Sequence, residues 1–328
     1  MRGIRLVGLL ALASAALIVG TAGATGKSTT LALVAYSTPK EAYKKIIPAF
    51  QATPAGKDVQ FTQSYGASGD QSRSVINGLP ADVVELSLEP DMNDLVKAGI
   101  VSKGWNRGKY HGMVTRSIVS FVVRDGNPKK IHNWNDLIRP GVSVITPNPF
   151  TSGGARWNVM AAYGAQLKAG KTPAQARAYL LKLFKNVAVQ DKSARDALNT
   201  FLGGKGDVLI TYENEAILAR HQGQGLYYID PAKTILIENP VAITNGKNQA
   251  AARAFLRFLY TPQAQTLFAQ TGYRPVVKSV AKKFKYPARP GLFTIEYLGG
   301  WDKVEKQFFD PRTGVMAKIE QQVGGSSG

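Results

Sequence analysis

Ser152, Gly153 and Gly154 carry the clearest chemical signal in this chain. Residues 142–145 form an apolar run that predicts a buried strand. Pro147 and Pro149 stop it, Thr151 and Ser152 offer N-cap hydroxyls, and a helix is expected from Ala155. The glycines let the backbone lie against a ligand. The first N–H groups of a helix lack internal partners, and the dipole puts partial positive charge there. Strand, Ser-Gly-Gly turn and helix together suit a small anion. They also suit an ordinary capped helix with a flexible lead-in, and the segment alone leaves both readings open.

Other chemistries find little support. A hydrolase needs a nucleophile, a base and an orienting group. The histidines are His111, His132 and His221, and none lies in a catalytic signature. Apart from the tail segment Gly324-Gly325-Ser326-Ser327-Gly328 no Gly-x-Ser-x-Gly sequence occurs, and there is no His-x-x-x-His pair. With no cysteine there is no disulfide, zinc thiolate or Cys nucleophile. Glu213 and Glu215 are a tempting carboxylate pair, but i and i+2 do not share a helix face. No cofactor or metal is expected, and the chain is not read as an enzyme.

The elements that must position the turn alternate. Strands are expected at 31–35, 59–62 and 81–86, with helices after Pro39, from Asp70 to Ile76 and from Met92 to Ala98. That order predicts a parallel sheet with helices on both faces, with ligands at the carboxyl ends of its strands. A second set follows: strands at 118–123, 142–145, 187–189 and 207–211, and helices at 134–138, 155–167, 173–184 and 215–221. Residues 235–243 read as extended, with Pro240 suggesting an irregular or edge position. Helices at 250–260 and 262–270 end before Gly272. Phe293, Tyr297 and Trp301 suggest that a C-terminal extension packs back on the body.

The expected division is therefore a first lobe of residues 28–115 plus 239–290, a second lobe of 116–238, and an extension of 291–328 with a disordered tail. Two α/β lobes facing a shared cleft make a hinge-type binding protein. Residues 1–24 read as a signal peptide: Arg2 and Arg5, an apolar run from Leu6 to Gly20, then Ala22-Gly23-Ala24 as the cleavage site. An uncleaved N-terminal anchor is the alternative. The mature chain is expected to be soluble, periplasmic or otherwise extracytoplasmic, and monomeric.

The formal charge is +19, from 41 Lys and Arg against 22 Asp and Glu. The cations are scattered, Lys282-Lys283-Phe284-Lys285 being the densest cluster. This reads as a solvated surface that draws small anions, with no nucleic-acid partner. Binding to an anionic polymer through that surface is a competing reading.

The chain resembles the periplasmic sulfate-binding proteins, the solute receptors of sulfate ABC importers, from about Leu31 to Trp301. Gly66-Ala67-Ser68-Gly69, Ser74-Val75-Ile76-Asn77-Gly78, Gly126-Asn127-Pro128-Lys129 and Trp134-Asn135-Asp136-Leu137 carry the likeness. So do residues 140–149, 152–157 and 207–216, and Tyr273-Arg274-Pro275. The resemblance implies the two-lobe, type II periplasmic-binding-protein fold and a dehydrated sulfate held in the cleft by neutral donors. Carried over by position, these donors are Thr38, Ser68, Ser152, Gly153, Gly154 and Ala194. Arg156 is implied to lie behind the ligand, supporting the backbone donors without touching the anion. A membrane permease and ATPase subunits are the implied partners.

Two positions depart from the family. Tyr212, carried over as the remaining ligand-binding residue, stands where the family commonly has Trp, whose indole N–H reaches the anion; the tyrosine hydroxyl sits further from the ring and both donates and accepts. Phe150 stands where relatives usually carry Lys. A donor-only site suits sulfate, whereas phosphate keeps a proton and needs an acceptor. The carboxylates nearest the candidate loops, Asp70 and Asp196, can instead stabilise first helical turns. Thiosulfate, molybdate and tungstate are the alternative ligands.

Overall fold

A computed structural model describes residues 28–287 and 289–324. The expected signal peptide and residues 325–328 of the expected tail lie outside the described residues.

In chain order, β1 (Thr29–Tyr36), α1 (Lys40–Gln51), β2 (Val59–Gly66), α2 (Ser68–Ile76), β3 (Val83–Glu85) and α3 (Glu89–Lys97) build the first lobe. β1 pairs in parallel with β2 on one side and β3 on the other. α1 buries Tyr43, Ile46, Ile47 and Phe50, a spacing that lines one helical face. This face packs on Leu31, Leu33 and Phe255. β2 runs four residues beyond the apolar stretch that the sequence marks, because β1 supplies a parallel partner as far as Gly66.

β4 (Met113–Arg124) then leaves for the second lobe. There stand β5 (Val144–Pro147), α4 (Gly153–Lys168), α5 (Pro173–Lys185), β6 (Val187–Asp191), α6 (Ala194–Leu202), β7 (Val208–Tyr212), α7 (Glu213–His221) and β8 (Leu226–Ile229). β5 is parallel to both β6 and β7. β8 has no counterpart in the sequence reading; it pairs antiparallel with β4. α4 is buried on nearly every side, which matches its apolar circumference.

β9 (Lys233–Ile243) returns the chain, and α8 (Gln249–Leu259) and α9 (Pro262–Gln270) complete the first lobe. The strand order is β2-β1-β3-β9-β4-β7-β5-β6. β4 and β9 are the antiparallel pair that joins the lobes. β4 pairs with β9 up to Ile118 and with β7 from Val119 onward. Pro240 is therefore not on an edge. It lies in a central crossing strand, opposite a register shift between Met113 and Thr115, where a missing N–H is tolerated. Its carbonyl still accepts from the Leu86 N–H at 3.0 Å.

β10 (Arg274–Pro275) adds to β4, α10 (Lys278–Ala281) follows, and β11 (Gly291–Phe293) adds to β9. α11 (Trp301–Val304) and α12 (Val315–Val323) close the described chain. Phe293 and Trp301 are buried, as their aromatic character suggests. Tyr297 is not: it is 46% exposed, with the Lys168 ammonium 4.0 Å from its ring centroid.

Candidate functional site

The turn before α4 has the local form that its residues dictate. Ser152 is the N-cap, extended at φ −104° and ψ 120°, and its hydroxyl accepts from the Ala155 N–H. Gly153 and Gly154 are the first helical residues. A Cβ on Gly153 would lie 2.3 Å from Leu88 Cδ2 and 2.7 Å from Ser87 Oγ. A Cβ on Gly154 would lie 3.0 Å from Tyr212 Cε2 and 3.2 Å from the Ala194 Cβ. The space here admits backbone only.

The same packing gathers the other candidates. Ala194 opens α6 behind the N-cap Ser193, and Tyr212 ends β7 at the carboxyl edge of the sheet. Thr38 follows β1 from the opposite lobe. Ser68 opens α2, also in the first lobe. All are buried. Among the described residues, no protein oxygen accepts from the N–H of Thr38, Gly153, Gly154 or Ala194. Buried N–H groups are usually paired, so these unpaired groups, contributed by both lobes, stand out. An apolar groove of about 340 Å³, lined by Trp105, Tyr110, Leu256 and Tyr260, lies elsewhere.

The hydroxyls are more committed than the sequence suggests. Ser68 Oγ donates to Asp91 Oδ2 at 2.5 Å and accepts from the Ser87 N–H at 2.9 Å. Thr38 Oγ1 shares a 2.6 Å hydrogen bond with Tyr273 Oη. Tyr212 Oη lies 2.5 Å from Ser87 Oγ. Burial raises the Tyr212 pKa, so the phenol keeps its proton.

Arg156 is engaged by protein groups. Its Nε donates to the Pro149 carbonyl at 3.0 Å and its Nη1 to Glu305 at 2.9 Å, with Asp91 at 3.9 Å. It thus ties the α4 start to the C-terminal extension and to the carboxylate that holds Ser68. Burial raises the Asp91 pKa, an effect that Arg156 and the Ser68 hydroxyl oppose. Burial likewise pushes Glu305 up to about 7.

The lobes are closed on each other. The Gly69 N–H donates to the Thr151 carbonyl at 3.1 Å. Trp157 Nε1 donates to the Ser87 carbonyl at 2.9 Å, and Lys192 pairs with Asp70 at 3.1 Å. Arg195 donates to the Thr38 carbonyl at 3.2 Å and grips Glu215. Glu213 pairs instead with Arg274. The two glutamates thus serve separate arginines on opposite sides of α7. Asp70 and Asp196 act as first-turn carboxylates, Asp196 accepting from Ser193 Oγ at 2.7 Å.

The sequence reading missed Ser87, Asp91 and Arg195. Ser87 sits in Glu85-Leu86-Ser87-Leu88, where no motif marks it. Its one signal is a small hydroxyl just past the carboxyl end of an apolar strand, where α/β sheets bind ligands.

Two lobes joined by crossing strands, with unpaired N–H groups contributed by both, have the form of a solute-binding protein. The model of the bacterial extracellular solute-binding protein family matches residues 31–274. The sulfate-binding protein of Synechococcus elongatus is 41% identical over 317 residues, covering 93% of this chain and 90% of that protein. The Escherichia coli sulfate-binding protein is 43% identical over 299 residues, covering 86% and 91%. The solved structure of the sulfate-binding protein SubI from Mycobacterium tuberculosis superposes with a TM-score of 0.83 at 46% identity, covering 86% of this chain and all of that one. The chain belongs to the sulfate-binding proteins of the bacterial extracellular solute-binding family, with their two-lobe, type II fold.

Proposed function

We propose that this chain captures sulfate between its lobes and delivers it to the membrane permease of an ABC importer, whose ATPase subunits supply the energy. The observation that carries this is the set of buried N–H groups on Thr38, Gly153, Gly154 and Ala194, contributed by both lobes and left without a protein acceptor. A doubly charged anion without a proton satisfies them all. The α4 and α6 dipoles add positive potential at the same point. Ser152 adds a hydroxyl, Ser68 its N–H, and Arg156 stays behind the turn. The names of the relatives support sulfate as the ligand.

The moving bodies are residues 28–115 with 239–290 and residues 116–238, hinged where β4 changes partner from β9 to β7. Opening there breaks the Gly69–Thr151 and Arg195–Thr38 bonds and exposes the donors to solvent. No covalent step is involved and no cofactor is needed. Export across the cytoplasmic membrane puts the receptor where such an importer collects its solute, as a soluble monomer. Among the described residues no helix is long and apolar enough to cross a membrane.

Calorimetric titration of refolded, anion-stripped protein tests this. Micromolar or tighter sulfate binding with phosphate silent is expected, because a bound hydrogenphosphate proton would face only donors. Comparable affinity for both anions would sink the donor-only site. A response to thiosulfate, molybdate or tungstate with none to sulfate would move the ligand and keep the fold.

A further inference from the structure

We propose that Ser87 is a direct donor to the bound anion, and that Tyr212 works through Ser87 instead of touching the anion itself. This rests on the sulfate reading above and adds a residue to it.

The position of Ser87 points this way. Its Oγ lies 2.7 Å from where a Cβ on Gly153 would stand. It therefore sits against the first residue of α4, whose N–H is one of the unpaired donors. Its backbone is held from several directions. The N–H donates to Ser68 Oγ at 2.9 Å, and the carbonyl accepts from Trp157 Nε1 and Asn239 Nδ2, each at 2.9 Å. A side chain so mounted presents its hydroxyl without spending much entropy on ordering it.

The proton arithmetic sets the roles. Two hydroxyls 2.5 Å apart share one hydrogen bond, so whichever accepts keeps its own proton to give elsewhere. A phenol is a far stronger acid than an aliphatic alcohol and is the better donor. Tyr212 then donates to Ser87, and the Ser87 proton is left for the anion. The resulting head-to-tail chain, Tyr212 to Ser87 to anion, strengthens each bond through the other. It also spans the cleft, since Tyr212 ends β7 in the second lobe and Ser87 follows β3 in the first. The Tyr212 ring edge already lies against Gly154, 3.0 Å from where its Cβ would be, which limits how far the hydroxyl can swing. The pair therefore serves a fully deprotonated tetrahedral oxyanion and couples its binding to closure.

Ser87→Ala and Tyr212→Phe, each in the full chain and stripped of anion, separate the two roles when titrated with sulfate. Ser87→Ala is expected to weaken binding by about tenfold or more, because the terminal donor is gone. Tyr212→Phe is expected to weaken it only severalfold, because Ser87 keeps its proton. Thermal unfolding without sulfate reports whether each variant folds, and Ser87→Gly carries the comparison if the alanine variant does not. The reverse order would make Tyr212 the donor and overturn the proposal. So would unchanged affinity in Ser87→Ala. If the unmodified chain is silent to sulfate, the functional reading fails first and this proposal fails with it.

Discussion

Arg195, at the start of a second-lobe helix, holds Glu215 through two 2.7 Å hydrogen bonds and reaches across the cleft to the Thr38 carbonyl at 3.2 Å. Glu215 is fully buried. One guanidinium thus neutralises a buried carboxylate and latches the second lobe to the first. Burial works against its charge, but Glu215 more than compensates and raises its pKa.

Arg195→Ala is expected to lower folding stability by about 3–5 kcal/mol, because it strands the Glu215 charge in the interior. Urea unfolding measures this. Arg195→Lys should recover part of the stability, since an ammonium satisfies one carboxylate oxygen but not the fork. Both variants should bind sulfate more weakly through the lost Thr38 contact. Full stability in the alanine variant would mean that Glu215 finds another partner.

Gly153→Ala should block closure. The new methyl would meet Leu88 and Ser87 well inside van der Waals distance, and both belong to the first lobe. A cost of about 1–3 kcal/mol from overpacking is expected, expressed mainly in the closed state. Sulfate affinity should fall by about fivefold or more, while the ligand-free melting temperature moves little. Titration and a thermal melt together check this, and unchanged affinity would remove the turn from the site.

Trp301 is expected to be structural at a distance from the anion. Its ring meets Trp157 edge-on with centroids 4.7 Å apart, and the Trp157 indole in turn donates to the Ser87 carbonyl. Trp301→Ala should cost about 3–5 kcal/mol in denaturant unfolding. A cost below about 1 kcal/mol would mean that the extension is only loosely docked there.

Glu85 gives a pH signature. It is wholly buried, its Oε2 accepts from Tyr43, and its Oε1 has no partner. Burial lifts its pKa from 4.5 to about 8, with the Tyr43 hydrogen bond opposing. Between those values the folded chain holds a proton that the unfolded chain has released. This contribution to stability is full below pH 4.5 and is lost as pH rises through about 8. The slope is at most about 1.4 kcal/mol per pH unit. Glu85→Gln, neutral at every pH, should flatten the decline, and chemical denaturation from pH 5 to 9 measures it. A decline as steep as that of the unmodified chain would assign the titration elsewhere.

The alternation of elements was legible because it depends on local patterns. Apolar runs, prolines and N-cap residues marked most strands and helices before their neighbours were known. The helices at Trp134–Ile138 and Pro262–Gln270 match the sequence reading residue for residue. The Ser-Gly-Gly turn was legible for the same reason. The cap, the free N–H groups and the dipole all belong to one short segment.

What lay beyond that reach depended on partners far away in the chain. The place of Pro240 is set by which strands flank β9. Tyr297 faces outward although its aromatic neighbours turn in. The Ser68 hydroxyl is engaged because Asp91, 23 residues on, comes to meet it. The Ser87–Tyr212 contact joins residues 125 apart across two lobes, and nothing near Ser87 announces it. The sequence by itself determined the class of protein and the chemistry of each donor, because residue type and local backbone suffice for those. Only the tertiary structure decided which protons are already spent and which are left without a protein acceptor, because hydrogen-bond partnership is settled by contacts between residues far apart in the chain.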